Sequence, residues 1–469
     1  IKKRMFTEVR FMEMLQSVVS NINKVVWGVP MLVLLVGTHL FFTFRLKFIQ
    51  RHIFKAIKLS VTKDSHSEGD ISQFGALATA LAATIGTGNI VGVATAVALG
   101  GPGAVLWCWL TGLFGIATKY SEGLLAVKYR VKTSDGTMLG GPMYALERGA
   151  KMKWLGVLFA VFTTIACFGI GNMTQANSIT SMLNTSFNVN PYISGAIITV
   201  AAGIVLIGGV KSIAKVCESL VPFMALFYVL GCVAVLFINA PYIPEAIVTI
   251  FTRAFTVQAA AGGFVGSTII AAMRYGIARG LFSNESGMGS APIAAAAATT
   301  SNPVRQALVS MSGVFWDTII VCALTGLVLV SSIVKYPALG SLSGGDLTAM
   351  AFEKVHIFGR YILAVGLVTF AFSTILGWAY YGERAFEYLF GKKPMILFRI
   401  VYSVVIFVGS VSANQLVWDI ADTFNAFMAI PNLICLLLLN GVIVSETKKY
   451  LWSDNVDGVD DTPIPQLEK

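Results

Sequence analysis

Charged residues are scarce in this chain of 469 residues, where Asp, Glu, Lys and Arg together make up only 12%. Hydrophobic residues make up 56%, and the mean hydropathy is +0.75. A typical soluble domain carries about 25% charged residues, so this composition excludes an ordinary soluble protein. We therefore expect an all-α integral membrane protein with several spanning helices.

Residues and motifs that bind metals or nucleotides are also few. No GxxxxGK(S/T) loop is present, which argues against an ATP-driven pump. The HExxH motif is absent as well, which argues against a membrane enzyme of that type. The six cysteines fall in apolar runs without a CxxC pair, and we expect packing roles for them. We predict no cofactor and no transition-metal site, because metal-ligand spacing is lacking among the histidines His39, His52, His66 and His356.

The net charge of +10 does not indicate a nucleic-acid partner, because the basic residues lie in short loops between apolar runs rather than in one patch. If the loop after the first span is cytoplasmic, that side of the membrane receives 25 of the 34 Lys and Arg residues. We therefore expect the N-terminus outside and the C-terminus in the cytoplasm, in a multi-pass protein of the plasma membrane. Residues 1–20 carry charges where a signal peptide would be apolar, and we expect them to form an amphipathic surface helix.

Eleven apolar runs are long enough to cross about 30 Å of hydrocarbon. They lie at 25–44, 74–99, 104–127, 154–183, 192–212, 219–240, 258–275, 306–334, 360–382, 395–411 and 416–444.

Without the first run, ten remain, and ten divide into two sets of five with opposite orientation. This arrangement predicts a five-plus-five inverted repeat with one extra N-terminal helix, in which the first helix of each repeat is discontinuous near the bilayer midplane. The predicted divisions are 1–71 for the amphipathic segment, extra helix and basic loop, 72–240 for the first repeat, 241–257 for an external connector, 258–444 for the second repeat and 445–469 for a cytoplasmic tail.

A polar segment interrupts the apolar run 74–99 at Thr84-Ile85-Gly86-Thr87-Gly88-Asn89. A helix unwound at membrane depth exposes N–H and C=O groups that hydrocarbon cannot satisfy, so we expect a bound solute and cation there. In the second repeat, Gly262, Gly263 and Gly266 are the corresponding candidates. For these glycines a break and a close helix contact are both open, because glycine in membrane helices often marks packing.

Five stretches resemble the alanine or glycine:cation symporters, which share the inverted-repeat, LeuT-like fold of the neurotransmitter:sodium symporters. The resemblance extends from about Val25 to Val444, with minor departures at Cys108 and Ser286. It implies sodium- or proton-driven uptake of small neutral amino acids, chiefly alanine and glycine, with Na⁺ as the expected coupling ion. The stretches are ALAATIGTGNIVGVATA (80–96), GGPGAVLWCWLTGLFGIATKYSE (100–122), GGPMYALERG (140–149), FGIGNMTQANS (168–178) and RYGIARGLFSNESGMGSAP (274–292).

An amino acid substrate would meet complementary groups at the interruption. The N–H groups of Thr87 and Gly88 begin the second half-helix and suit a carboxylate, whereas the amino group needs acceptors such as the carbonyls of Ala83 and Thr84. A polar clamp between helices is the alternative for Asn172 and Gln175, and core packing is the alternative for Trp378. The substrate-binding candidates are Thr84, Gly86, Thr87, Gly88, Asn89, Asn172, Gln175, Gly263, Gly266 and Trp378.

For a sodium ion, the resemblance suggests the carbonyls of Ala82 and Ile85 on the broken helix, with Phe370, Ser373 and Thr374 facing them. The spacing i, i+3, i+4 places the last three on one helix face. Five oxygen ligands suit an alkali cation. Without the resemblance, hydroxyls bonded back to their own helix would be the default interpretation.

Four charged residues are gating or structural candidates. Asp317 lies twelve positions after Arg305, about 18 Å along a helix, and is either a proton carrier or coupling residue or a structural hydrogen-bond partner. Glu122 is expected at the cytoplasmic end of the cavity. The stretch 274–292 is expected to be a cytoplasmic loop, either an inner gate in which Arg274 and Glu285 exchange partners or a solvated turn.

These features predict a secondary active symporter that couples sodium influx to uptake of alanine and glycine by alternating access. A proton-coupled symporter is one alternative, and an ion channel built on broken helices is another. We predict no enzymatic activity, and the sequence leaves the oligomeric state open.

Overall fold

Helices make up most of the chain that the computed structural model describes, namely residues 2–64, 68–256, 268–342, 344–354, 358–412 and 415–467. The helices before the first long gap are α1 (Lys2–Val26), α2 (Val29–Arg45), α3 (Ile53–Ser60), α4 (Gln73–Thr84), α5 (Val93–Gly100), α6 (Ala104–Lys128), α7 (Pro142–Tyr144), α8 (Lys153–Phe168), α9 (Thr174–Phe187), α10 (Pro191–Ile207), α11 (Gly209–Ile238) and α12 (Ile243–Arg253). A short antiparallel hairpin joins β1 (Val131–Lys132) and β2 (Met138–Leu139).

The second part of the chain repeats this helical character. Its helices are α13 (Ile269–Asn284), α14 (Pro292–Ala295), α15 (Pro303–Val314), α16 (Ala323–Lys335), α17 (Gly344–Glu353), α18 (Gly359–Phe390), α19 (Met395–Val411), α20 (Gln415–Leu438) and α21 (Asn440–Thr447). Turns of π-helix adjoin or join several of these helices, at Gly88–Gly92, Ala145–Gly149, Gly169–Met173, Phe315–Cys322 and Lys448–Trp452.

Among the described residues, six helical stretches are long and apolar enough to cross a membrane. A further pair, Gln73–Thr84 and Gly88–Gly100, passes the same test together and is bent by 51° at its break. The bend coincides with the polar segment in the sequence. The six stretches are Met14–Arg45, Lys153–Phe187, Gly209–Ile238, Pro303–Lys335, Gly359–Phe390 and Trp418–Leu438.

The expected cytoplasmic loop at 274–292 is wrong over most of its length, because α13 continues to Asn284. Its glycines serve close packing: a Cβ atom at Gly276 would collide with the backbone of Ala104 in α6, and one at Gly280 with the side chain of Thr111. The small and polar composition therefore reflects a tight helix contact rather than a solvated turn. Likewise, α11 starts at Gly209, ten residues before the expected span at 219–240.

The second repeat is interrupted, in the described region, at Glu285–Ala291 between α13 and α14. Glu285, Gly287 and Gly289 have φ values of 52°, 89° and 83°, in the left-handed region that ends a right-handed helix. The predicted break residues Gly262, Gly263 and Gly266 lie outside the described residues.

The two interrupted helices lie side by side and run in opposite directions. Before α4, the carbonyl of Ile71 accepts the N–H of Thr299 at 2.8 Å, so the start of α4 and the end of the α14 segment lie at the same level. At the other end, α13 packs against α5 and α6. The two interruptions are therefore neighbours inside the bundle.

The extra N-terminal helices pack along α20 and α6. Asn23 in α1 donates to the carbonyl of Asp419 at 3.2 Å, and Trp27 donates to that of Asp422 at 3.1 Å. In α2, His39 shares a 2.7 Å hydrogen bond with Thr118 of α6. Leu35 lies where a side chain on Gly287 would point, so α2 abuts the second interruption.

Candidate cation and substrate site

The first interruption exposes backbone groups whose partners come from side chains. After α4 ends at Thr84, Ile85 is extended, with φ −76° and ψ 92°. The freed N–H of Gly86 donates to Oδ1 of Asn89 at 2.9 Å, and that of Thr87 approaches Oε1 of Gln175 at 3.5 Å. The unwound turn is thus held by amide oxygens within an otherwise apolar bundle.

The five predicted cation ligands converge beside this turn. Ser373 Oγ lies 3.2 Å from the carbonyl oxygen of Ala82 and 2.8 Å from that of Phe370. Thr374 Oγ1 lies 3.4 Å from the carbonyl oxygen of Ile85 and 3.0 Å from that of Phe370. All five residues are buried. The cluster presents oxygen atoms alone, which fits a hard alkali cation, because each hydroxyl can turn its lone pairs toward an ion.

Gly88 and Gln175 lie close to the unwound turn that follows the cation ligands Ala82 and Ile85. A Cβ atom on Gly88 would lie 3.1 Å from the ring of Phe282, so any residue other than glycine would have to displace that ring. The Gln175 amide is oriented by its Nε2, which donates to the carbonyl of Ile170 at 3.0 Å. The indole of Trp378 is buried, and its Cβ occupies the position where a side chain on Gly171 would point.

Two predicted substrate residues have other partners in this structure. Thr84 Oγ1 bonds back to the carbonyl of Ala80 at 3.1 Å, which is the common behaviour of a helical threonine. Asn172 Nδ2 donates to the carbonyl of Tyr402 in α19 at 2.8 Å. Asn172 therefore links two helices through its Nδ2, whereas its buried Oδ1 has no hydrogen-bond partner among the described residues, so its role in substrate binding stays a prediction.

The second interruption is held by a carboxylate. Oε1 of Glu122 accepts the N–H groups of Gly287 at 3.1 Å and Gly289 at 3.0 Å, together with Nδ2 of Asn432 at 2.7 Å. Lys119 donates to the carbonyl of Glu285 at 3.0 Å. Glu122 thus replaces the helical acceptors that the unwound segment lacks. The sequence analysis did not identify Asn432. The one feature that could have drawn attention to it is the neighbouring Pro431, a proline inside an apolar helix.

Glu285 and Arg274 are not brought together. Arg274 is exposed in the first half of α13, about 16 Å along the helix from Glu285. The Glu285 carboxylate is buried and accepts a 2.5 Å hydrogen bond from Ser290. An exchange of partners between these two residues therefore has no geometric basis in this arrangement.

Asp317 lies in the π-helical turn between α15 and α16, fully buried next to both interruptions. Its carboxylate accepts hydrogen bonds from Asn89 Nδ2 at 2.7 Å, Ser283 Oγ at 3.0 Å and Thr318 Oγ1 at 2.6 Å. Within the described residues, no group of three or more His, Cys, Asp or Glu could hold a metal ion. Ser283 and Phe282 were not found from the sequence, because they fall in the stretch expected to be a loop.

Polar contacts also surround the start of α4 and the end of the α14 segment, which lie together near Ile71. Asp70, just before α4, accepts the N–H of Met138 at 2.9 Å. Burial raises the pKa of Asp70, and this hydrogen bond opposes the effect. The C-terminal tail packs nearby, where Asn302 donates to the carbonyls of Val456 and Gly458, each at 2.8 Å.

Comparison with known proteins agrees with this architecture. Residues 12–462 match the model of the sodium:alanine symporter family. The sodium/alanine symporter AgcS of Methanococcus maripaludis is 53% identical over 92% of this chain and 97% of its own. The probable sodium/glutamine symporter GlnT of Bacillus subtilis is 38% identical over 93% of this chain and 91% of its own.

The fold is similar to that of a solved transporter. MhsT, whose structure contains L-phenylalanine, superposes with a TM-score of 0.60 over 83% of this chain and 95% of its own, at 15% identity. At this identity the match shows the fold alone, and it confirms the predicted LeuT-like fold. Because the family model and relatives such as AgcS span nearly the whole chain, this protein belongs to the sodium:alanine symporter family.

Proposed function

We propose that this protein couples sodium influx to the uptake of small neutral amino acids, with alanine and glycine as substrates. The observation that carries the proposal is the set of five oxygens contributed by Ala82, Ile85, Phe370, Ser373 and Thr374. These oxygens lie against the turn whose N–H groups would bind the substrate. Both ligands would then stabilise the same unwound turn, which couples their binding.

The substrate class follows from the groups that surround the turn. A carboxylate would accept from the N–H groups of Thr87 and Gly88, in place of the Gln175 oxygen that now lies 3.5 Å from the Thr87 nitrogen. The Gln175 oxygen would then be free to accept from the ammonium group. The Phe282 ring lies 3.1 Å from the position of a Cβ atom on Gly88, and we assign it as the wall that limits the size of the substrate side chain. The name of the relative AgcS, a sodium/alanine symporter, agrees with this choice.

Sodium is favoured over a proton as the coupling ion. The five-oxygen cluster consists of carbonyls and hydroxyls, none of which titrates in the physiological range. A proton-coupled site would need a group such as a carboxylate that changes its charge. Asp317 is the candidate for that alternative, but its carboxylate is occupied by hydrogen bonds from Asn89, Ser283 and Thr318.

In this proposal the interrupted helices provide alternating access. The repeats 72–240 and 258–444 would move relative to each other around the site, with the N-terminus outside and the C-terminus in the cytoplasm of a plasma-membrane protein. The Lys and Arg bias supports this orientation. Assigning Arg274 and Arg279 to α13 removes two residues from the predicted cytoplasmic loop but leaves the bias in place.

Uptake into proteoliposomes tests the proposal. Purified protein is reconstituted, and radiolabelled alanine uptake is measured under an inward gradient of sodium, of potassium, or of protons without sodium. We expect saturable accumulation with sodium alone, abolished by a sodium ionophore. Accumulation under the proton gradient alone would establish the proton-coupled alternative instead.

Three further measurements test the size limit of the substrate, the ion-channel alternative and the orientation of the termini. Competition by glycine, alanine, leucine and glutamine measures the size limit, and we expect only glycine and alanine to compete strongly. An alanine-independent conductance that persists without a gradient would identify a channel and overturn the proposal. Labelling of single cysteines introduced near each terminus, with an impermeant reagent on intact cells, would test the orientation.

A further inference from the structure

The carboxylate of Asp317 joins the two interruptions directly. Asn89 follows the first interruption, and its Nδ2 donates to Asp317 Oδ1 at 2.7 Å. Ser283 lies two residues before Glu285, where the second interruption begins, and its hydroxyl lies 3.1 Å from Oδ1 and 3.0 Å from Oδ2. A single buried side chain thus accepts hydrogen bonds from both broken helices.

We propose that Asp317 is a positioning residue that holds the two interruptions in one arrangement, so that the apparent affinities for sodium and for the amino acid depend on it together. This inference rests on the proposed function. It assigns no ligand role to Asp317, because Asn89 and Ser283 lie between its carboxylate and the unwound turns.

The first connection leads to the cation ligands. While Asn89 Nδ2 donates to Asp317, Oδ1 of the same amide accepts the N–H of Gly86 at 2.9 Å. Gly86 follows Ile85, whose carbonyl oxygen lies 3.4 Å from Thr374 Oγ1 in the five-oxygen cluster. The orientation of the Asn89 amide, fixed from Asp317, therefore determines how the Ile85 carbonyl is presented.

The second connection leads to the substrate space. Ser283 is the neighbour of Phe282, whose ring lies 3.1 Å from the position of a Cβ atom on Gly88. Holding Ser283 therefore holds the aromatic wall against the Gly88 N–H group. A loss of this bond would loosen the end of α13 next to the place where the substrate carboxylate is expected.

The side chain at position 317 must accept hydrogen bonds and donate none, as an ionised carboxylate does. Asn89 and Ser283, together with Thr318 at 2.6 Å, all donate to the two oxygens of Asp317. Asparagine at this position would have one oxygen and one NH₂ group, so at least one donor would lose its acceptor in a buried site. The expected consequence is about a tenfold loss of apparent affinity.

The test compares Asp317→Asn with a matched variant on the same turn, Thr318→Val. This control removes one donor to Asp317 but keeps both connections and the packing volume. For each purified protein, we measure the sodium concentration for half-maximal alanine uptake, the KM for alanine at saturating sodium, and the melting temperature. Asp317→Asn should raise both concentrations about tenfold, and Thr318→Val should leave both near the wild-type values.

A third variant, Ser283→Ala, keeps the measurement decisive if Asp317→Asn does not fold. It removes the second connection alone, so the KM for alanine should rise in this variant by itself. Where Asp317→Asn does fold, combining the two substitutions should raise the KM by less than the product of the two separate changes. Unchanged alanine affinity in Ser283→Ala, a shift in only one affinity in Asp317→Asn, or equal shifts in Thr318→Val would each overturn the inference. Wild-type protein without sodium-driven alanine uptake would instead refute the proposed function, and this inference with it.

Discussion

Replacing Thr374 with alanine tests the cation site at a single atom. The change removes one of the five oxygens, and this hydroxyl lies 3.4 Å from the Ile85 carbonyl and 3.0 Å from that of Phe370. Contacts of this kind with a charged group contribute about 1.5–3 kcal/mol each. That range corresponds to a loss of sodium affinity of about 10- to 150-fold.

The effect should be specific to sodium. Thr374 Oγ1 contacts carbonyl oxygens and none of the freed N–H groups, so the KM for alanine at saturating sodium should change less than about twofold. Thr374→Ser keeps the hydroxyl and should retain most of the sodium affinity. Thr369→Ala, on the same helix, is the matched control, because the Thr369 hydroxyl bonds back to the carbonyl of Val365 at 2.7 Å.

The assay is the initial rate of labelled alanine uptake into proteoliposomes at a series of sodium concentrations, with equal amounts of reconstituted protein. An unchanged sodium dependence in Thr374→Ala would remove this residue from the ion site and refute the five-oxygen assignment. An equal shift in Thr369→Ala would show that the effect comes from the helix as a whole rather than from the ligand atom.

Three other outcomes are expected. Gly88→Leu should abolish alanine uptake, because even its Cβ atom would lie 3.1 Å from the Phe282 ring. The control Gly37→Ala, where nothing lies within 4 Å of the added Cβ atom, should transport normally. Normal alanine affinity in Gly88→Leu would contradict the assignment of substrate binding to the N–H group of Gly88. Glu122→Leu should lower the free energy of unfolding by about 3–5 kcal/mol, because buried donors lose their acceptor, and an unchanged melting temperature in detergent would count against this role. Asn302→Ala should speed protease cleavage of the C-terminal tail, since it removes two 2.8 Å hydrogen bonds to that segment; equal cleavage rates would contradict this.

Much of the fold was predictable because membrane-spanning helices are encoded as long apolar runs in the sequence. The expected spans 104–127 and 395–411 correspond to α6 and α19 within one residue. The prediction was wrong at α13, where glycines and polar residues that pack against α6 were interpreted as a loop. A composition rich in Gly and Ser has the same appearance in a turn and in a tight helix contact, and only the neighbouring helix distinguishes them.

The candidate site was predictable to the extent that it is local. The interruption after Thr84 is visible in a few consecutive residues, and the i, i+3, i+4 spacing of Phe370, Ser373 and Thr374 places them on one helix face. The partners that hold the site are distant in the chain: Asn432 lies 310 residues from Glu122 and Asp317 lies 228 residues from Asn89. No periodic pattern links such positions.

The sequence by itself determined that the chain is a membrane protein and where the apolar run 74–99 is broken. These properties depend on hydropathy and on short-range backbone chemistry, which neighbouring residues specify. Only the tertiary structure decided that Asn172 turns toward α19, that Glu122 holds the second interruption, and that Asp317 joins the two broken helices. These depend on which buried donors and acceptors meet when helices pack, and that pairing exists only in the folded bundle.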